Sequence, residues 1–169
     1  MPTENTSSKT VPIEWLQRAF AMRAQAYAHV FDVLREKFGV DQALALLSES
    51  TRRLGSAMGT RYAEFGPADL AGLKNAFLGE IPAGDVMFQP EVRRCDAEVL
   101  EIQFHRCPLK EAWEATGRPA EDVALLCKAA GAIDQGLFNA AGFVLDGTTW
   151  QPGQPGCCLL RVKPGPRPA

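Results

Sequence analysis

The sequence predicts an α+β fold, with a helical N-terminal half packed on a small antiparallel β-sheet and two further helices. Two observations carry this. Up to residue 78 the apolar residues recur mainly at three, four and seven, the period of amphipathic helices. Past the turn-like segment from Ile81 to Asp85 they partly alternate among charges, which suits half-buried strands. No repeat interrupts the chain, so the break near residue 80 is read as a change of layer within one domain over residues 11–163.

The elements follow in order. Residues 1–10 are polar, and 164–169 contain three prolines; both are expected as disordered tails. Ile13, Leu16, Phe20, Tyr27, Phe31 and Leu34 mark one long helix between Pro12 and Phe38, stopped by Gly39. A second begins at Asp41, a candidate N-cap, with Leu44, Leu47, Leu54 and Met58 on one side. A third covers Pro67 to Leu78 and ends at Gly79. Val92, Val99, Ile102 and Phe104 belong to two strands. Pro108 and Pro119 then open helices over 108–117 and 119–141, because the first helical position needs no N–H, and Gly117 and Gly142 close them. Strands near 143–146 and 157–162 complete the set.

Composition narrows function. At 169 residues with 46% hydrophobic content, folding buries roughly two thirds of the chain's surface, so no disulfide or metal staple is required. A net charge of −2 supplies no broad field for polyanions, which disfavours nucleic acid and anionic membranes as partners. No apolar run approaches the roughly 20 residues of a membrane span, and residues 1–10 lack a secretory pattern. The expected compartment is cytoplasmic, where the five cysteines stay reduced and are read as thiols or metal ligands.

Cys107 precedes Pro108 and becomes the N-cap of its helix, where free N–H groups and the helix dipole favour an anion. With Arg106 and His105 beside it, a lowered thiol pKa is expected, making Cys107 the candidate nucleophile. The bland alternative is an inert cap. Cys127 and Asp134 lie two turns apart on one helix face, roughly 10 Å along the axis. Between them Ala129, Ala130, Gly131 and Ala132 either leave room for a ligand or admit another helix. Asp134, among apolar neighbours, is a candidate acid/base group rather than a solvated charge. Cys127 read alone is a small core residue. Cys157 and Cys158 are adjacent in a predicted strand, so they face opposite sides; alternation with Leu160 and Val162 turns Cys158 inward and leaves Cys157 incidental in solvent. His105 is open between base, ligand and surface residue, and His29 is read as structural.

Taken together, CPLKEAW at 107–113, LLC at 125–127, IDQG at 133–136 and CLLRV at 158–162 resemble the L-2-amino-thiazoline-4-carboxylic acid hydrolase family. The resemblance covers about residues 88–163. It implies a hydrolase that opens or desulfurises a small sulfur- and nitrogen-containing heterocycle, the named ring giving N-carbamoyl-cysteine and relatives acting on thiohydantoins. It carries Cys107, Cys127, Cys158 and Asp134 onto this chain as the site.

The chemistry suits those residue types. A carbon bonded to both nitrogen and sulfur is open to a soft thiolate. In this expectation Cys107 attacks, Asp134 serves as acid and base, Cys158 completes the catalytic group, and Cys127, His105 and Arg106 bind substrate. Arg94 and Arg161 are further candidates for an anionic group. No cofactor is expected, but the same cysteines with His105 or Asp134 are an alternative zinc site that would activate water. A third reading is a non-catalytic small-molecule or metal-binding module. The expected partner is a small molecule, and the long amphipathic helices leave homo-oligomerisation open.

Overall fold

A computed structural model describes residues 11–166. Helix α1 (Ile13–Phe38) meets α2 (Val40–Gly59) across Gly39, whose φ of +82° permits a reversal within one residue. A 3₁₀ turn (Thr60–Phe65) leads to α3 (Leu70–Gly79) and the single-turn α4 (Gly84–Met87). Strands β1 (Pro90–Cys95) and β2 (Leu100–Phe104) follow, then α5 (Pro108–Ala115) and α6 (Ala120–Ala140). Strands β3 (Val144–Leu145) and β4 (Leu159–Lys163) close an antiparallel sheet of order β1-β2-β4-β3. The α+β architecture is therefore the one the periodicities predict.

Details differ where tertiary contacts outweigh local signals. Asp41 lies in the first turn of α2 without capping it, because Gly39 already makes the junction. Helix α3 starts later than Pro67: Asp69 caps it, accepting from Gly72 N at 2.8 Å. Leu54 is exposed, since the inward face of α2 is Ala43, Leu47, Thr51, Gly55 and Gly59. Gly165 N donates to Pro67 O at 2.9 Å; residues 1–10 and 167–169, which fall in the expected tails, lie outside the described residues.

The core joins the helical layer to the sheet. Trp113 of α5 is fully buried and donates to Ala24 O of α1 at 2.7 Å. At the other end, Arg118 and Arg35 bind Asp32 and Asp122, with Arg118 Nη2 2.6 Å from Asp32, which holds the Asp32 carboxyl below its ordinary pKa. Helices α2 and α6 approach through small residues, and the buried Thr51 hydroxyl donates to Ala129 O. Among the described residues no helix is long and apolar enough to cross a membrane.

Candidate active site

The construction of the site starts at the end of β2. Phe104 N donates to Cys158 O and Cys157 N to Phe104 O, both at 2.9 Å. The buried Gln103 amide also donates to Cys158 O at 3.2 Å. These bonds clamp residues 157–158 beside β2, and three residues beyond Phe104 the chain reaches Cys107 at the start of α5. Cys107 and Cys157 are thereby brought close enough for each to shift the other's pKa.

A cavity of about 370 Å³ opens against these sulfurs, within the usual range for a small-molecule site. Cys107, Cys127, Cys157 and Cys158 all line it, and so does Asp134. Phe20, Phe77, Phe88, Phe104 and Trp113 supply apolar wall, with Phe88 edge-on to both Phe20 and Phe104. Helix α6 serves two sides. Cys127, Ala130, Gly131 and Asp134 reach the cavity, while Ala129 and Gly136 lie against α2. The run of small residues thus makes room for a ligand and for a helix at once.

A second, more polar cleft of about 630 Å³ includes Ser48, Lys128, Thr148 and Gln151 in its wall. Gly131, Asp134 and Cys158 border both spaces. Asp134 has no hydrogen-bond or ion-pair partner among the described residues. Burial raises its pKa to about 7, only partly offset by the positive charge of Arg23. A carboxyl near neutrality can give and take a proton.

The thiols depart from expectation. The N–H groups of Lys110 and Leu109 do favour a Cys107 anion, but contact with Cys157 and burial outweigh them and push its pKa well up. Arg106 gives no help, because its fork closes on Glu111 at 2.7 Å through both Nε and Nη2. Cys107 is therefore a neutral thiol at rest. Burial also raises Cys127. Contact with Cys107 lowers Cys157, yet its hydrogen bond to Cys158 and burial leave it pushed up to about 12.

Cys157 is not the incidental surface residue expected from strand alternation. It precedes β4, in a bend after Gly156 (φ +73°), so the two-residue period does not reach it. It is buried, with its sulfur 3.7 Å from that of the half-buried Cys158. His105 is turned away, its Nε2 lying 2.8 Å from Glu91, and it does not line the cavity. Arg106 reaches the wall, but Glu111 and Val86 O occupy its donors. Arg94 is spent on Asp96 and Glu98, and Arg161 on Glu101; neither reaches the cavity. For the zinc alternative, no group of three or more His, Cys, Asp or Glu among the described residues is arranged to hold a metal ion.

Sequence reasoning passed over Arg23, half-buried on the cavity wall. Its signal was present: an arginine on the apolar stripe of α1 between Phe20 and Tyr27. It also passed over Arg61 and Tyr62, which meet Glu80 at 2.9 and 2.7 Å at the wall. No protein of curated function matches the chain. The profile of the L-2-amino-thiazoline-4-carboxylic acid hydrolases matches residues 19–161, extending from α1 through all four cavity cysteines into β4. A match over most of the chain's length, on a fold that gathers those cysteines with Asp134, means that the chain belongs to the L-2-amino-thiazoline-4-carboxylic acid hydrolase family.

Proposed function

We propose that this hydrolase-family protein opens a small ring in which one carbon is bonded to both sulfur and nitrogen, of the 2-amino-thiazoline carboxylate or thiohydantoin type. One observation carries the reading: Cys107 and Asp134 share the wall of one cavity of ligand size. Cys107 is the nucleophile and Asp134 the proton carrier. Cys127, Cys157 and Cys158 shape the sulfur-rich wall.

Because Cys107 rests as a thiol, attack and proton loss must be coupled. Cys107 Sγ bonds to the ring carbon while its proton passes to the Asp134 carboxylate. The carbon–sulfur ring bond then breaks, and Asp134 returns the proton to the departing sulfur. This leaves an isothiourea on Cys107. Water attacks its carbon, one water proton going to nitrogen and the other to the Cys107 sulfur as that bond breaks. From the thiazoline the product is N-carbamoyl-cysteine. A thiohydantoin offers the same kind of carbon, with ring opening or desulfurisation as the outcome.

The raised Cys107 pKa favours one competing reading, in which Asp134 activates water directly and the thiols only bind. Cys107→Ser separates the two. Loss of thiazoline opening by roughly 1,000-fold or more is expected for a nucleophile; turnover within a few-fold of wild type would transfer the chemistry to Asp134 and water.

A further inference from the structure

Three arginines reach the cavity wall, and two are neutralised there. Arg61 is held by Glu80 at 2.9 Å and Arg106 by both oxygens of Glu111. Arg23 is different. Its Nε donates to the Tyr27 hydroxyl at 3.1 Å, and its guanidinium carbon lies 5.2 Å from the centre of that ring. No carboxylate pairs with it among the described residues, and its two terminal amino groups have no partner there.

Asp134, on the same cavity, is also unpaired. The two are close enough for Arg23 to draw the carboxyl pKa down, yet too far apart for an ion pair. Tyr27 engages Arg23 at its Nε and through the ring face, which leaves the terminal N–H groups at the cavity wall open to an anion. The planar guanidinium fork matches a carboxylate, two N–H groups to two oxygens. Tyr27 already fixes the side chain, so little freedom is lost when that anion binds.

We propose that Arg23 anchors the carboxylate of the substrate, so that the cavity selects small heterocycles carrying one carboxylate over neutral rings of the same shape. The inference rests on the reading of this cavity as the reaction site, and it decides between two substrate types that the family resemblance leaves open. A carboxylated thiazoline fits; a neutral thiohydantoin leaves Arg23 uncompensated. Binding and bond-making then fall to different elements, the anchor coming from α1 and the sulfurs from α6 and from the segments beside β2 and β4.

The test uses the full chain and its Arg23→Gln and Arg23→Lys variants. Turnover is measured with 2-amino-thiazoline-4-carboxylate and its neutral carboxamide. Binding is titrated separately with thiazolidine-4-carboxylate, whose saturated ring lacks the reactive carbon, and its carboxamide. The wild type should bind the thiazolidine acid more tightly than the amide. Arg23→Gln should raise KM and Kd for the acids about 10- to 100-fold and alter those for the amides by less than about twofold, with Arg23→Lys between. Equal losses for acids and amides, or no wild-type preference for the thiazolidine acid, would overturn the anchor. If neither thiazoline turns over, the proposed reaction is wrong, and the thiazolidine titration still decides the anchor by itself.

Discussion

A carboxyl group half-buried without a partner must give up either its charge or some of the protein's stability, and Asp134 stands near that balance at neutral pH. Its pKa in the folded protein, about 7, lies above the ordinary 3.8. Its contribution to stability is therefore fully present below about pH 4 and is lost as pH rises through about 7. At about 1.4 kcal/mol per pKa unit, the loss across that window is at most roughly 4–5 kcal/mol. Asp134→Asn, which cannot ionise, should melt close to wild type at pH 4 and several degrees higher at pH 8.5, while losing turnover. A difference in Tm that does not vary with pH would show that the carboxyl is solvated after all. Asp134 was legible in the sequence because its neighbours Ile133, Leu137 and Phe138 signalled burial. The Cys107 pKa was not. Arg106 adjoins it in sequence, but Glu111 takes the guanidinium, and the dominant neighbour, Cys157, is fifty residues away along the chain.

Helices α2 and α6 show what the small residues are for. A Cβ at Gly136 would lie 2.0 Å from Arg52 O, and one at Gly55 would lie 1.9 Å from Ile133 O. Both clashes are with backbone, so a whole helix has to move. Gly136→Ala should cost about 2–3 kcal/mol, a fall in Tm of roughly 5–10 °C, and it should weaken turnover by displacing Asp134. An unchanged Tm in thermal unfolding would mean that the helices are not in this contact. Helix positions in the sequence were readable because periodicity and proline or glycine punctuation are local. Which residues of α2 face inward was not, since Leu54 looks like core and Gly55 looks like a defect until α6 is in place.

At the scale of the molecule, the cavity draws its wall from α1, α2, the 3₁₀ turn, α3, α5, α6 and the segments flanking β2 and β4. A ligand that binds only this assembled wall should stabilise the whole fold. N-carbamoyl-cysteine at 100 times its Kd should add about 2.7 kcal/mol, raising Tm by roughly 5–10 °C; no shift at saturating product would argue against the assignment of this cavity. By itself the sequence determined the order and type of the main elements, the placement of Cys107 at a helix start and the shared face of Cys127 and Asp134. Those features depend on covalent spacing along one element. Only the tertiary structure decided that Cys157 joins the sulfurs, that His105, Arg94 and Arg161 stand apart, that Arg106 is occupied, and that Arg23 is left facing the cavity without a partner. Each of those outcomes is set by contacts between residues distant in the chain, and no period or neighbour in the sequence records them.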